Sequence, residues 1–340
     1  MRRKYDGCSS CPFSFYMYED VLGGCELLGA HLDDWPGNHP AWSPSKEECR
    51  TWRHISCPLE KEDAVVSIKP RKNVPKYDII GDIHGCWHEL LILMRALGHK
   101  VEDGDDGILH DVGDRKLIFL GDLADRGPQS DEVILYAMRM CRAQRARWIM
   151  GNHCDKLMRW AKGNKVKENN GLDKTLDQLC EAKVDKGELF DFMSNLNYFL
   201  ELDDGRLVVV HAAWKDEFRG IGDPSRRVKA YCIYGPTTGK VLENGFPDRI
   251  DWAMERRVDR DSPLIIYGHQ PVYAPRALHK TINIDTACVF GGHLTALRYP
   301  EMERVSVPSI EVYDDSKEDI LTARRFVGTL PLESEIEDGI

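Results

Sequence analysis

The chain has no apolar run approaching the roughly 20 residues that a membrane helix needs. A helical membrane span is therefore not expected. It also lacks an export signal: the basic start, MRRKYDG, leads into CSSCPF instead of an apolar segment. A cytoplasmic location follows as the default. Basic charge is in deficit, with 46 Lys and Arg against 56 Asp and Glu and a formal net charge of -10 over 340 residues. That balance argues against sequence-blind binding of long nucleic-acid duplexes through a basic surface. It does not exclude action on a nucleic-acid end, because bound divalent cations would be the largest local charges in a site. A nucleotide-binding P-loop is missing as well. GPTTGK, at 235–240, is one residue short between its glycines and is followed by Val241. Internal repeats and long low-complexity stretches are absent.

Cysteine is plentiful and unevenly placed. Five of the 11 fall in the first 57 residues: Cys8, Cys11, Cys25, Cys49 and Cys57. The others, Cys86, Cys141, Cys154, Cys180, Cys232 and Cys288, are scattered. Without an export signal a metal site is the better expectation than disulfides. One C-x-x-C pair plus distant single cysteines suits a structural Zn²⁺ or an iron–sulfur cluster. Five candidates exceed four places, and inert buried thiols are the competing reading; His31, His39 and His54 read as ordinary polar residues. Four regions follow. Residues 1–60 form a small Cys-rich module that needs a staple, its protein partner unidentified. Residues 61–74 are a polar linker, 75–312 the main domain, and 313–340 a mostly acidic tail that frays.

From Tyr77 onward, short apolar strands alternate with helices. YDII ends at Gly81-Asp82, and KLIFL at Gly121-Asp122. RWIM ends at Gly151-Asn152, RLVVV at His211, LIIY at Gly268-His269 and TINI at Asp285. Between them run helical stripes such as Val133, Ile134, Ala137 and Cys141. Strands with helical crossovers imply a layered α/β domain with a largely parallel sheet. Residues 156–196 read as a helical insertion. The arginines at 139, 142, 145 and 147 read as the solvated face and end of a helix, with a phosphate-backbone contact as the alternative.

The candidate ligands all sit where apolar strands end, which is where open α/β sheets form their binding crevices. Each such residue alone reads as a turn residue; their recurrence at so many strand ends does not. Asp82 and His84 follow the first strand. Asp122 has two carboxylate oxygens with which to bridge two cations, Asn152 offers an amide oxygen, and His211 and His269 offer imidazoles. Mixed oxygen and nitrogen donors suit Mn²⁺, Fe or Zn²⁺ better than Ca²⁺. Two such ions activate a shared hydroxide for in-line attack at phosphorus. His153, next to a ligand, is placed to protonate the leaving oxygen. Asp125 is placed to orient that histidine. Arg126 offers a planar fork to phosphate oxygens, with a surface ion pair to Asp125 as the alternative.

In order and spacing, GDIHG, GDLADRGP, GNHC, VVVHAAW and IIYGHQPV resemble the signature blocks of calcineurin-like phosphoesterases of the phosphoprotein-phosphatase type. The resemblance implies a layered β-sandwich metallophosphoesterase fold with flanking helices and two divalent metal ions, Mn²⁺ first, then Fe or Zn²⁺. It implies that Asp82, His84 and Asp122 hold one ion, and that Asp122, Asn152, His211 and His269 hold the other. It also implies His153 as general acid, Asp125 as its partner and Arg126 as a phosphate clamp. A narrower resemblance covers 77–307. NHCDKLMRW, LDQL, YGPTTGK, FPDRIDW and IDTACVFGGHLTALRYPEMERVSVP are similar to the phosphatase module of bacterial polynucleotide kinase-phosphatases. It implies removal of 2′-, 3′- or 2′,3′-cyclic phosphates from nucleotides or RNA ends, with Asp285 at the substrate. For Asp285 a strand-end turn is the alternative.

The sequence departs from the family pattern at Cys154, Ala213, Gln270 and Ala287, each one or two residues from a candidate site residue. These departures put substrate choice, more than hydrolysis, in question. Cys154 reads as a buried inert thiol, with a reactive one as the alternative. The same chemistry on a dinucleoside tetraphosphate or on protein phosphoserine and phosphothreonine is the alternative to RNA ends. A regulatory module that has lost catalysis is the remaining reading, and the intact ligand set argues against it.

Overall fold

The computed structural model describes residues 74–104, 107–242 and 247–316, together with two paired two-residue strands, Gly24–Cys25 and Ala30–His31. The side chains of the candidate N-terminal metal ligands, Cys8, Cys11, Cys25, Cys49 and Cys57, lie outside the described residues. Among the described residues no helix is long and apolar enough to cross a membrane.

Two five-stranded sheets form the centre. In the first, β1 (Lys76–Ile80) lies beside β4 (Arg115–Phe119), which pairs in turn with β5 (Ala146–Trp148). All three are parallel. The antiparallel strands β13 (His293–Tyr299) and β14 (Glu303–Pro308) extend the β1 side. The second sheet repeats the plan. Parallel strands β7 (Leu207–Val210), β10 (Leu264–Tyr267) and β12 (Thr281–Asn283) make its middle. The antiparallel strands β6 (Phe199–Leu202) and β11 (Arg276–Leu278) close its edges.

The expectation of a largely parallel sheet is thus corrected to two mixed sheets. The physical reason is local. β6 and β7 are joined by a short turn, as are β13 and β14, and short turns return the chain antiparallel.

The strands read as near-continuous apolar runs because both of their faces are covered. Ile79, Ile118, Leu120, Val209 and Ile266 point into the layer between the sheets. Ile80, Leu117 and Phe119 point the other way, under helices α1 (Trp87–Ala96) and α2 (Ser130–Arg142). Val208, Val210, Ile265 and Tyr267 pack outward against Trp214, Phe218 and Trp252. The period-2 alternation of each strand therefore feeds two different apolar layers.

Three helices, α3 (Asn152–Ala161), α4 (Leu172–Glu181) and α5 (Lys186–Ser194), occupy the stretch read as an insertion. They are part of the main core: Leu157, Leu172, Leu179, Leu189 and Met193 are buried with the residues of α1 and α2. The arginines at and just past the end of α2 behave as a solvated face, with Arg142 paired to Glu188 and Arg145 to Glu102.

Candidate metal centre

All six parallel strands end at one place, and the four antiparallel strands add no candidate ligand to it. β1 delivers Asp82 and His84, β4 delivers Asp122, Asp125 and Arg126, and β5 delivers Asn152 and His153. From the second sheet, β7 delivers His211, β10 delivers His269 and β12 delivers Asp285. The turns that bring these side chains inward are tight. His84, Asp122, Asp125, Arg126 and His269 all have positive φ, between 43° and 73°. That is a left-handed conformation costing a non-glycine residue on the order of 1–3 kcal/mol, and it clusters at functional sites. Close packing at the neighbouring glycines holds the carboxylates. A Cβ on Gly151 would lie 2.2 Å from Asp122 Oδ1, and one on Gly268 would lie 2.2 Å from Asp82 Oδ1.

The imidazoles are oriented by backbone. His84 Nδ1 lies 2.8 Å from the Ala124 carbonyl oxygen and His211 Nδ1 lies 3.0 Å from that of Leu120. A carbonyl only accepts, so both Nδ1 atoms carry the proton and both Nε2 lone pairs face inward. Asp122 divides its oxygens. Oδ1 accepts the His153 backbone N–H at 2.9 Å. Oδ2 stands 3.2 Å from His211 Nε2 and 4.0 Å from His84 Nε2. Oδ1 thus faces the start of α3, and Oδ2 lies between the two imidazoles. His84, Asp122 and His153 form one close group, and Asp122, His211 and His269 another. The Asp82 carboxylate stands apart from both, accepting the His269 N–H at 3.2 Å.

The donor set fits cations and fits little else. The Asn152 side-chain amide lies among His211 Nε2, Asp122 Oδ2 and His269 Nδ1, 3.1 Å from the first. His269 Nδ1 is 3.1 Å from His211 Nε2, and His269 Nε2 is buried without a partner. Burial, then Asp285 and Asp122, raise the Asp82 carboxyl well above the usual range. Burial pushes Asp122 up, but His211, His153 and His84 outweigh it and hold the carboxyl well below. Burial, with His153 adding to it, drops His84 to about 3, and burial with His211 drops His269 well below its usual value. Neutral imidazoles and crowded buried carboxylates are what divalent cations compensate.

His153 is held differently. Its Nδ1 lies 2.6 Å from Asp125 Oδ2, leaving Nε2 to face the cleft. Asp125 is fully buried. Its N–H donates to Ser130 Oγ and Thr175 Oγ1, and the Thr175 hydroxyl donates to Asp125 Oδ1 at 2.9 Å. Gln178 then grips the loop, accepting the Ser130 N–H and donating to the Pro128 carbonyl. Sequence reasoning missed Ser130 and Thr175; the signal within reach was that LDQL sits on a helix with Thr175 three residues before Gln178.

Arg126 does not pair with Asp125. Its Nη1 donates to Asp314, and its guanidinium lies 5.2 Å from the Phe290 ring centroid. Asp285 stands in the same ring, its Oδ1 accepting the Ala287 N–H and burial raising it to about 6. Cys154 is buried, and burial pushes its thiol up to about 12, so it is inert. Cys86 and Cys288, unremarkable in sequence, meet beside Glu89 beneath the site.

A ring of carboxylate, amide and imidazole donors at the convergent ends of two sheets, with a carboxylate-bound histidine beside it, defines a metallophosphoesterase. The sequence model of the calcineurin-like phosphoesterase family matches residues 75–296. This chain belongs to that family and is a hydrolase, and the family implies divalent metal ions. The asymmetrical bis(5′-nucleosyl)-tetraphosphatase PrpE of Anoxybacillus flavithermus is 46% identical over 243 residues, covering 70% of this chain and 96% of that protein. Its namesake from Bacillus subtilis is 42% identical over 246 residues, covering 71% and 98%. Among solved structures, a protein serine/threonine phosphatase from Saccharomyces cerevisiae aligns with a TM-score of 0.47 at 18% identity, covering 70% of this chain and 80% of that one.

Proposed function

We propose that the protein hydrolyses a dinucleoside tetraphosphate asymmetrically, releasing a nucleoside monophosphate and a nucleoside triphosphate. The observation that carries the substrate is the 46% identity to an asymmetrical bis(5′-nucleosyl)-tetraphosphatase across 96% of that enzyme. The chemistry rests on the site. Asp82, His84 and Asp122 would hold one divalent ion, and Asp122, Asn152, His211 and His269 the other. Mixed oxygen and nitrogen donors favour Mn²⁺, with Fe or Zn²⁺ as the alternatives. When bound, the two ions supply charge neutralisation at phosphorus and acidify water for attack.

The chain's own residues do the remainder. His153 Nε2 gives its proton to the departing oxygen, while Asp125 keeps Nδ1 protonated and the ring aimed. Ser130 and Thr175 fix Asp125 in turn. Arg126 takes two non-bridging phosphate oxygens through its planar fork. Asp285 faces the substrate from the second sheet.

A second reading, removal of 2′-, 3′- or 2′,3′-cyclic phosphates from RNA ends, is favoured by the similarity of residues 284–308 to the repair phosphatase module. The two readings differ in leaving group. A nucleotide phosphate leaves readily as an anion, whereas a ribose alkoxide needs its proton. Side-by-side kinetics on diadenosine tetraphosphate, a 2′,3′-cyclic nucleotide and a phosphopeptide, with Mn²⁺, decide between them. The expected result is the highest kcat/KM on the tetraphosphate, with AMP and ATP in equal amounts. Two ADP molecules, or a preference for the cyclic nucleotide, would overturn the substrate assignment.

A further inference from the structure

After β14 the chain does not leave the body. Residues 309–316 run as a strap over the 289–292 loop and Glu89 of α1 to reach Arg126. The Ser309 N–H donates to the Gly292 carbonyl at 2.8 Å, and the Tyr313 and Asp314 N–H groups both donate to the Val289 carbonyl, at 3.0 and 3.1 Å. Glu89, fully buried, accepts the Ile310 N–H and the Tyr313 hydroxyl on the same oxygen, each at 2.9 Å. The strap so anchored delivers one carboxylate to one place. Asp314 Oδ2 accepts from Arg126 Nη1, Ser316 Oγ lies 3.4 Å from the same nitrogen, and the Ser316 N–H braces Asp314 Oδ1 at 2.9 Å. Burial pushes the Asp314 carboxyl up, but the Ser316 hydrogen bonds and the guanidinium outweigh it and hold it below its usual range. Beside the pair lies a cleft of about 450 Å³ whose charged lining is Arg126 and Lys174 with Glu168, Asp173, Asp314 and Asp315.

A carboxylate and a phosphate offer a guanidinium the same two-oxygen edge. We propose that Asp314 is an internal competitor for Arg126, so that a substrate phosphate reaches the guanidinium only by displacing the strap 309–316. This rests on Arg126 being a phosphate-binding residue. The competitor is tethered, so its effective concentration is high and independent of solution conditions. A single small phosphate ester is therefore penalised. A polyphosphate chain, with further anionic groups to engage Lys174 and the centre, displaces the strap more readily. Asp314 becomes a specificity-determining residue that favours multiply charged substrates.

The test is a double-mutant cycle on the Mn²⁺-loaded full chain, with p-nitrophenyl phosphate as substrate and inorganic phosphate as inhibitor. Asp314→Asn is expected to lower KM and the phosphate inhibition constant roughly tenfold at unchanged kcat, the scale of one charge-assisted hydrogen bond. Tyr313→Phe, which removes one of the strap's two hydrogen bonds to Glu89, is expected to move both constants the same way by less. Both effects vanish when Arg126 is alanine. If Arg126→Ala raises KM but Asp314→Asn leaves it unchanged or raises it, the strap proposal is wrong and the clamp stands. If Arg126→Ala itself leaves KM unchanged, the clamp reading fails first. Hydrogen exchange gives a second readout: inorganic phosphate is expected to speed exchange of the Tyr313 and Asp314 amides in the wild type. Unaltered protection at saturating phosphate would overturn the displacement.

Discussion

Two buried aspartates, one inside β1 and one just past its end, behave as opposites. Asp78 is fully buried and surrounded by bases: Arg115 Nε at 2.7 Å, His99 Nε2 at 2.6 Å and Arg298 Nε at 3.5 Å. Arg115 continues outward to Glu301, so the network is closed within the protein. Asp82, four residues on and also buried, has no side-chain base at all among its hydrogen-bond partners. Its oxygens accept backbone N–H groups, that of His269 at 3.2 Å among them, and its charged neighbours include Asp285 and Asp122. A buried charge must be compensated. Asp78 is compensated by the fold, and Asp82 awaits compensation from outside. One carboxylate is architecture; the other is a site.

Substitution at each end tests that contrast. Asp82→Asn is expected to lower turnover by several orders of magnitude and to reduce the bound Mn²⁺ of the purified protein, both measurable on one preparation. Metal-free Asp82→Asn should unfold at the same or a higher temperature than metal-free wild type, because a like-charge repulsion has been removed. A metal-free variant that is strongly destabilised would place Asp82 with Asp78 and dissolve the distinction. Asp78→Ala is expected to do the reverse. It strands Arg115 and His99, and breaking a buried pair from one side costs about 3–5 kcal/mol. Urea unfolding measures that loss, while kcat per folded molecule stays within about twofold, as ordinary for a substitution that leaves the centre untouched.

The sequence makes one of these aspartates legible and hides the other. Asp82 announces itself because it follows an apolar run and is followed two residues later by His84, a pattern repeated at Asp122, Asn152, His211 and His269. Those positions are local: a strand, a tight turn, a ligand. Asp78 sits inside the strand, and its partners at 99, 115 and 298 come from three different elements. The same holds for Thr175 and Ser130 on Asp125, and for Asp314 on Arg126. None of these contacts leaves a periodic or spacing signal, because each is decided by how helices and the strap pack on the sheets. Strand direction was hidden for a related reason. An antiparallel strand such as β13 and a parallel strand such as β10 carry similar apolar runs when both are covered on two faces, and only the connection length separates them. That the parallel strands of two sheets, and not one, converge on the site could be read only from the packing of Ile79, Ile118, Val209 and Ile266 between them.

Asp125 falls between the two extremes and sharpens the comparison. It is as buried as Asp78, yet its charged partner is His153, a side chain with a proton to give. Asp125→Asn keeps the shape and the Thr175 contact but no longer favours the protonated ring. The expected cost is roughly 10–100-fold in kcat, the scale of a lost orienting partner. KM and bound metal should be unchanged. A loss of metal instead would assign Asp125 to the ligand set.

The smallest effect concerns a buried base with no acid, the mirror image of Asp82. His110 is buried, and its Nδ1 meets only the Tyr136 hydroxyl, at 3.0 Å; its backbone N–H points at Met140 Sδ. Burial, with His99 adding a little, lowers its imidazole to about 4. His99, by contrast, has Asp78 at 2.6 Å. Above the unfolded value near 6.5 both states of His110 are neutral and nothing is lost. As the pH falls from about 6.5 toward 4, the unfolded chain takes up a proton that the folded chain refuses, so stability drains through that window. Between pH 7.5 and 5.5 the loss assignable to His110 is on the order of 1 kcal/mol. His110→Gln can still accept from Tyr136 and does not titrate. Urea unfolding of chelator-treated protein at the two pH values should therefore differ by about 1 kcal/mol less in the variant than in wild type. An equal pH dependence in both would mean that the Tyr136 contact, with its oxygen turned to the ring, already accommodates the imidazolium. A buried base without an acid would then not be the counterpart of a buried acid without a base.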